Sequence, residues 1–463
     1  MTCLGIKVDS KFSGNSSEAE MKDLEADVKM TAKRRIRRHL PVAKGPHTVG
    51  VVDIMCERGE NGIFFRLYYP TTRTDIYTRD RQWPLWLPHK KYALGYVHFL
   101  QWNPAIFGKI FNWLGGDVYV PALWQALLLK SNTPYPVLVF SHGLGGNRTS
   151  NTSFCVELAS RGFVVAAIEH RDGSASMTLC LKNNNHSTIR ACSDYNNETN
   201  DGHINKKSEH GHQNQHQNHH HCSHHKLSEG HHCNYFKEEW KWFEHVDKWD
   251  DFDYRNGQMY KRAEECRHVL DLLTEMNAGA TLHNTLGIAF DTKQFKNQLD
   301  LKKVCVAGHS FGGATCLATC STDSRFQVGV VLDGWMHPVD DKIFSSLKQP
   351  ILMINMESFQ WPVNIKQMMR LLEAGGEADR NMITVRGTCH QSVTDFQFLC
   401  NKAMGRFMNV RYKLDPYLCL EMTCKATMGF LTKHLNLESI PNYQEILSGE
   451  HDLIISGTNV KWT

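Results

Sequence analysis

The chain has 463 residues and a mass of 53.0 kDa, of which 41% are hydrophobic and 22% charged. This composition is close to the average of soluble globular proteins, so the chain can bury a large core and wholesale disorder is excluded. The net charge of +4 is too small a bias to predict a nucleic-acid partner. The 15 cysteines are odd in number and scattered along the chain. That pattern favours free thiols in a reducing compartment.

Residues 1–45 are polar and charged and predict a flexible leader. The leader has no apolar h-region, and the chain has no run of 18 apolar residues, so we expect neither a secretory signal nor a transmembrane helix. Thr2 excludes N-myristoylation in this reading frame, and acylation of Cys3 is left open. The basic run Lys33–Arg38 suits an anionic membrane surface or a solvated tail. We expect a cytoplasmic protein that is peripherally associated with membranes, with secretion as the alternative.

Short apolar runs, typical of strands, alternate with segments of helical period. The runs lie at residues 49–54, 62–69, 137–140, 163–168, 304–307, 328–332, 351–354 and 382–385. Short apolar strands separated by helices predict a mostly parallel central sheet with helices on both faces. We therefore expect a single α/β domain over residues 46–440 and a C-terminal tail over 441–463.

Residues 180–235 interrupt this pattern. The segment is rich in Asn, His and Ser, and eleven of the 26 histidines lie between His203 and His232. It cannot bury enough apolar surface to offset its ordering entropy, so we predict a disordered surface insertion. Imidazoles at this density, with Cys222 and Cys233 nearby, predict loose binding of Zn²⁺, Ni²⁺ or Cu²⁺ at several sites. No fixed spacing predicts a structural metal site.

A strand, a sharp turn and an Ala-rich helix occur together around Ser310. The segment Gly308–Gly312 matches the nucleophile-elbow pattern G-x-S-x-G. In this motif the serine occupies a strained turn, which exposes its hydroxyl above the sheet. The amide and dipole of the following helix N-terminus can then stabilise an oxyanion. The flanking strand and helix favour this interpretation over a glycine turn that happens to contain serine, so we predict that Ser310 is a nucleophile.

A serine nucleophile needs a histidine base, and in this fold the order along the chain is Ser, Asp or Glu, then His. His390 follows the strand that ends at Val385 by five residues, where a loop can reach the elbow. His390 is therefore predicted to be the base. The other downstream histidines are too close to the acid's strand, or lie in or beyond the last helix; they are His337, His434 and His451.

Two carboxylates compete to orient the base. Asp333 directly follows the strand 328–332, and Glu357 follows the next strand, 351–354. Both positions lie at strand ends, where functional side chains of a parallel sheet collect. Aspartate is shorter and more rigid, which favours Asp333 but leaves Glu357 open.

The glycine-rich loop 141–146 follows the strand 137–140. It resembles the HGGG-type oxyanion loop of lipases and esterases. The backbone amides of Leu144 and Phe311 would then bind the oxygen of a tetrahedral intermediate, unless the loop is an ordinary glycine turn. Nucleotide- and metal-binding motifs such as a Walker loop or HExxH do not occur in the sequence, so we expect no cofactor.

With these motifs the chain resembles a known family, the group VII phospholipase A2 enzymes. These are platelet-activating factor acetylhydrolases of the plasma and intracellular type II kind. The resemblance covers residues 40–435 and rests on the stretches 40–46, 140–145, 168–172, 308–313, 332–335 and 387–391. By position it implies Ser310 as nucleophile, Asp333 as acid and His390 as base. It also implies that the oxyanion amides are those of Leu144 and Phe311.

The resemblance implies a calcium-independent serine esterase of the α/β-hydrolase fold. Its substrates would be phospholipids with a short or oxidised sn-2 acyl chain, such as platelet-activating factor, at a membrane or lipoprotein surface. The His-rich insertion departs from the family pattern, as does the missing signal peptide of the plasma type and the missing N-terminal Gly of the intracellular type. A general carboxylesterase or lipase, and a His-rich metal-binding protein on a hydrolase scaffold, are the alternatives.

The most aromatic part of the chain contains an amphipathic segment at residues 104–114. Its apolar residues recur at helical spacing, while Lys109 and Asn112 can face water. Aromatic and aliphatic residues beside a lysine suit a membrane interface, and a core-packing helix is the alternative. The predicted interface residues are Ile106, Phe107, Ile110, Phe111, Trp113 and Leu114.

Overall fold

The computed structural model describes residues 37–57, 62–72, 74–183, 236–374, 376–437 and 444–461. The elements below all lie in the compact unit His39–Thr463. The predicted leader up to residue 36, with Cys3, lies outside the described residues. So does most of the His-rich insertion, with Cys222 and Cys233.

Ten strands of the described residues form one sheet, in the order β12-β11-β10-β9-β8-β4-β5-β2-β1-β3, and β6 and β7 form a separate antiparallel hairpin. Strands β4, β5 and β8 to β11 are parallel; β1, β2 and β12 pair antiparallel with β2, β5 and β11. The bounds are β1 Thr48–Cys56, β2 Ile63–Thr71, β3 Leu123–Trp124, β4 Tyr135–Ser141, β5 Val164–Ile168, β6 Met177–Asn183, β7 Phe236–Trp242, β8 Leu299–His309, β9 Phe326–Leu332, β10 Ile351–Met356, β11 Arg380–Val385 and β12 Ile454–Ser456.

Helices connect these strands and cover both faces of the sheet. Their bounds are α1 Lys90–Phe99, α2 Pro104–Gly115, α3 Thr152–Ser160, α4 Phe252–Ala278, α5 Phe311–Thr322, α6 Asp341–Ser346, α7 Pro362–Glu373, α8 Phe396–Leu399, α9 Lys402–Phe407, α10 Pro416–His434 and α11 Gln444–Ser448. Short 3-10 helices occur at Ile76–Gln82, Thr292–Phe295 and His390–Val393.

The core lies in two layers, one on each face of the sheet. Helices α4 and α5 pack on one face and helices α1, α3 and α10 on the other. Burial on both faces explains why the parallel strands are almost continuously apolar in the sequence. Each fully buried aliphatic side chain contributes about 1.5–3 kcal/mol, so the apolar strands specify the sheet. The mostly parallel sheet predicted from the sequence is confirmed.

The limits of the predicted domain need correction. Folded structure begins before residue 46, since Leu40 is buried and its amide donates to the Tyr119 carbonyl at 2.9 Å. The predicted tail also belongs to the domain, because β12 pairs with β11 and buries Ile454. A three-residue edge strand has too little apolar pattern to be recognised in sequence. The interruption begins later than residue 180, because β6 continues to Asn183.

Parallel strands place their carboxyl ends at one edge of the sheet, where loops from different strands meet. The loops after β4, β8, β9 and β11 carry the glycine-rich segment 141–146, Ser310, Asp333 and His390. The topology therefore collects, at one edge, residues that are separated by up to 249 positions in the chain.

The hairpin generates a prediction about residues 184–235. Asn183 and Phe236 are the last paired positions of β6 and β7, so a two-residue Asn-Gly turn can close the ladder in place of the segment. We expect this replacement to leave the melting temperature and the hydrolysis of a soluble ester close to the parent's, and to abolish retention on a nickel column. Loss of ester hydrolysis, in the replacement or in the parent with EDTA, would show that the segment or a metal it holds supports the active site.

Candidate active site

Ser310 occupies the turn between β8 and α5 in a strained backbone conformation. Its φ and ψ angles are 56° and −116°, a region that residues with a side chain rarely adopt. The turn is held by hydrogen bonds: the Ser310 amide donates to the Leu332 carbonyl at 2.9 Å, and the Ser310 carbonyl accepts from the amides of Gly313 at 2.9 Å and Trp335 at 3.0 Å. These three hydrogen bonds therefore fix the position of the nucleophile.

Glycines allow three backbone segments to meet at this turn. A Cβ atom at Gly308 would lie 2.0 Å from the Gly312 carbonyl oxygen, and one at Gly312 would lie 2.0 Å from the Ser141 carbonyl oxygen. A Cβ at Gly143 would lie 3.1 Å from the Cβ of Ser310. Glycine at these positions lets β8, α5 and the loop 141–146 pack against one another, with the loop directly beside the nucleophile.

Asp333 and His390, 57 residues apart, are joined by a hydrogen bond of 2.6 Å between His390 Nδ1 and Asp333 Oδ2. The second carboxylate oxygen, Oδ1, accepts from the Met356 amide at 2.7 Å, and the Asp333 amide donates to the Ile354 carbonyl at 2.8 Å. These bonds fix the carboxylate. Because Nδ1 faces the acid, Nε2 is the ring nitrogen that can receive a proton from serine.

Asp333 is buried and the His390 side chain is partly buried, at 20% exposed, and this desolvation shifts the pKa values of both groups toward their neutral forms. Burial lowers the pKa of the His390 imidazole, so the resting ring is neutral and able to accept a proton. Burial raises the pKa of the Asp333 carboxyl, and the bond from the Met356 amide opposes that change. A proton taken up by His390 would gain the attraction of the carboxylate at 2.6 Å, which is the electrostatic role of a triad acid.

Glu357, the competing carboxylate, is bound elsewhere. It accepts a hydrogen bond from the amide of Gly387, and its own amide donates to Thr388 Oγ1 at 3.1 Å. Gly387 has a φ of +69° and opens the loop that leads to His390. Glu357 therefore anchors the backbone of this loop, while Asp333 is bonded to the imidazole itself.

Two aromatic contacts of His390 were not predicted from the sequence. The Phe359 ring stacks on the His390 ring with centroids 3.5 Å apart, and the His309 ring lies 4.6 Å away. His309 Nε2 donates to the His390 carbonyl at 3.1 Å. The position of His309 as the second residue of the elbow motif could have indicated that it lies near the base. Nothing in the sequence pointed to Phe359.

The predicted oxyanion donors, Leu144 and Phe311, lie on the two segments that flank Ser310. Phe311 opens α5 directly after the nucleophile. In the loop, the Gly145 amide donates to the Ser174 carbonyl at 2.8 Å and the Gly146 amide to the Gly143 carbonyl at 3.0 Å. These bonds occupy the two amides that follow Leu144. The positions of Leu144 and Phe311 are consistent with the predicted pair of donors, and their role in binding an oxyanion stays a prediction.

The other histidines considered from the sequence have different partners. His337 Nε2 donates to the Asp250 carbonyl at 2.7 Å, His434 Nε2 lies 2.8 Å from an Asp379 oxygen, and His451 Nδ1 accepts from the Leu453 amide at 3.1 Å. None of these contacts involves the elbow or Asp333, so the geometry favours His390 as the base.

Helix α2 has an exposed face and a buried one. Ile106, Ile110 and Trp113 are 58%, 38% and 68% exposed, whereas Phe111 and Leu114 are 7% and 5% exposed. Phe111 and Leu114 were therefore wrongly included among the interface residues: they are core residues. The apolar stripe read from the sequence was too wide for one face of a helix. Phe107 is half-buried, and its ring lies 4.7 Å from that of Trp102.

The described residues contain neither a metal-binding group of side chains nor a membrane-spanning helix. In this part of the chain no group of three His, Cys, Asp or Glu side chains is arranged to hold a metal ion. No helix within the described ranges is long and apolar enough to cross a membrane. The eleven described cysteines are free thiols.

A nucleophile elbow at the edge of a parallel sheet, with a histidine bonded to a carboxylate beside it, defines a serine hydrolase of the α/β-hydrolase fold. The chain belongs to the platelet-activating factor acetylhydrolase family: the family model described as "Platelet-activating factor acetylhydrolase, isoform II" matches residues 32–451. The protein is thus a phospholipase A2-type serine hydrolase that acts on phospholipid esters.

Individual relatives support this family. A protein named platelet-activating factor acetylhydrolase from Canis lupus familiaris is 35% identical over 92% of this chain and 84% of its own length. One of the same name from Gallus gallus is 34% identical over 91% of this chain and 90% of its own. Among solved structures, a ferulic acid esterase from Streptomyces cinnamoneus superposes with a TM-score of 0.56 at 16% identity, covering 90% of this chain and 99% of that one; this likeness shows the fold alone.

The contrast between the two carboxylates gives a prediction. Asp333→Asn preserves shape but no longer favours the imidazolium of His390, so turnover of a soluble ester should fall by about 10⁴-fold. Glu357→Gln keeps an oxygen that can accept the Gly387 amide and should retain most of the activity. The two variants, measured side by side for kcat and melting temperature, form a matched pair. A reversed order of losses would identify Glu357 as the triad acid.

Proposed function

We propose that this protein hydrolyses the sn-2 acetyl ester, or a short or oxidised sn-2 acyl ester, of phospholipids such as platelet-activating factor, and that it does so without calcium. The family supplies the phospholipid ester as substrate class. The observation that carries the chemistry is the 2.6 Å hydrogen bond from His390 to Asp333 beside the strained Ser310 turn.

The proposed mechanism uses groups of this chain in each step. Ser310 Oγ attacks the ester carbonyl carbon while its proton passes to Nε2 of His390, and Asp333 stabilises the imidazolium. The amides of Leu144 and Phe311 bind the oxyanion. Collapse expels the lysophospholipid alcohol, which takes the proton from His390. Water, activated by the same histidine, then releases the acetate from Ser310. Because the nucleophile, the base and the oxyanion donors are all protein groups, the reaction has no step that requires calcium.

We further propose that α2 contacts the lipid surface through Ile106, Ile110 and Trp113. These exposed side chains lie on the same helix as the exposed Lys109, a combination that suits the boundary between acyl chains and headgroups. The proposed location is cytoplasmic and peripheral to a membrane, which the free thiols of the described residues favour; secretion, with binding to lipoproteins, is the alternative.

The substrate proposal is tested by comparing sn-2 acetyl with sn-2 long-chain phosphatidylcholine, each with EDTA and with added calcium. We expect rapid release of acetate, slow release of the long-chain fatty acid and no effect of calcium. Ser310→Ala is the negative control and should lose activity by several orders of magnitude, since triad members act as a unit. Equal rates on the two lipids would favour a general esterase or lipase, and a requirement for calcium would overturn the mechanism.

The surface proposal is tested with Ile110→Ser/Trp113→Ser. Removing two exposed apolar side chains should weaken sedimentation with phosphatidylcholine vesicles, because burial of each contributes roughly 1.5–3 kcal/mol. Hydrolysis of soluble 4-nitrophenyl acetate should not change, because neither side chain is in the core. Leu127→Ser, which alters another side chain that is 75% exposed, is the matched control and should bind vesicles like the parent. Undiminished vesicle binding by the double variant would exclude α2 as the contact surface.

A further inference from the structure

Arg262 is a fully buried arginine that the mechanism above does not use. It lies in the middle of α4, and its side chain is 0% exposed. An arginine is rarely buried unless its charge and its donors are matched by partners. The identity of those partners indicates its role.

The guanidinium contacts the oxyanion loop on one side. Its Nη2 donates to the His142 carbonyl at 2.8 Å, two residues before Leu144. Its Nε lies 3.4 Å from Asp172 Oδ2. The other oxygen of Asp172 accepts from the Ser174 amide at 3.1 Å, and the Ser174 carbonyl accepts the amide of Gly145. The guanidinium is thus joined to the loop by a hydrogen bond at His142 and, through the Asp172 ion pair and Ser174, by an indirect link at Gly145, on both sides of Leu144.

The same guanidinium contacts the first turns of α5. It lies over the ring of Phe311 with its central carbon 4.5 Å from the ring centroid, and Nη1 donates to Thr315 Oγ1 at 3.3 Å. Thr315 Oγ1 in turn donates to the Phe311 carbonyl at 3.1 Å. One rigid planar group therefore touches both of the segments that carry the predicted oxyanion donors.

We propose that Arg262 is a positioning residue that sets the separation between the Leu144 and Phe311 amides, and hence the geometry of the oxyanion hole. This inference rests on the proposed esterase function. Oxyanion donors act through fixed placement, and removal of one donor lowers kcat by about 10²–10³-fold. A displacement of about 1 Å can lower the rate by about 10²-fold. Arg262 touches neither the substrate nor the reacting atoms.

The test compares Arg262→Met with Arg262→Lys on 4-nitrophenyl acetate, with a trifluoromethyl ketone as the probe of tetrahedral geometry. We expect Arg262→Met to lower kcat by about 10²-fold with KM unchanged, because the donors act on the transition state and not on the bound ester. The inhibition constant of the ketone should rise by the same factor. Arg262→Lys keeps the charge but lacks the planar fork that reaches two acceptors, so it should recover only part of the loss.

Arg255→Met is the matched control. Arg255 lies two turns earlier on α4 and is 1% exposed, but it donates to the Trp249 carbonyl at 2.8 Å and to Gln258 at 2.6 Å and not to the loop or to α5. Arg255→Met should lower the melting temperature about as much as Arg262→Met does, while its kcat stays at the parent's value. An equal loss of kcat in Arg255→Met would show a general effect of stability and overturn the proposal, as would native kcat in Arg262→Met.

Thr315→Val provides a second route if Arg262→Met does not fold. It removes the acceptor on α5 and keeps the arginine, so kcat and ketone affinity should fall together by a smaller factor. Native values for both in Thr315→Val would overturn the proposal in that case. Failure of the esterase function itself is distinguished by the parent enzyme, which would then neither hydrolyse the ester nor be labelled at Ser310 by an organophosphonate.

Discussion

The close approach of three backbone segments around Ser310 is the constraint on which the rest of the structure depends. Strand β8, helix α5 and the loop after β4 meet where glycines leave no side chain between them. A residue with φ of 56° costs on the order of 1–3 kcal/mol and persists only where neighbours fix it. Here the neighbours are backbone groups of β9 and of the segment after it, Leu332 and Trp335. The strained turn after β8 is thus also hydrogen-bonded to the end of the adjacent strand, β9.

The hydrogen bonds between this turn and β9 explain how the acid is placed. Asp333 follows Leu332 directly, so the hydrogen bond that holds the nucleophile's amide also holds the end of the acid's strand. The carboxylate is then fixed by the Met356 amide from the next strand, and His390 arrives from the strand after that. Three neighbouring strand ends therefore contribute to one site, and the parallel sheet sets their separations. The sheet that carries these strand ends is close-packed on both faces.

Buried polar side chains support the site from beneath. Beyond Arg262, His170 joins Ser141 at 2.8 Å to Glu265 at 2.5 Å, which connects the oxyanion loop to α4 a second time. Burial lowers the pKa of His170, so the ring acts as a neutral relay between donor and acceptor. Asp172, which pairs with Arg262, belongs to the same group of buried polar side chains. Buried hydrogen bonds of this kind restrict the motion of the groups that they join.

The sequence by itself determined the sheet, the elbow and the order of the triad residues, because these follow from local patterns: apolar runs, glycine spacing and position at strand ends. It left the choice between Asp333 and Glu357 open on physical grounds, since both follow strands that lead to the same edge. Only the tertiary structure decided which carboxylate meets His390, because that depends on how the chain between Asp333 and His390, 57 positions apart, folds. The same holds for Phe111, whose burial is set by the helix packed against it and not by its own apolarity. The burial of Arg262 could not be predicted from the sequence for a related reason. A charged residue in a helix is expected to face solvent, and only the packing of the fold around α4 shows that it does not.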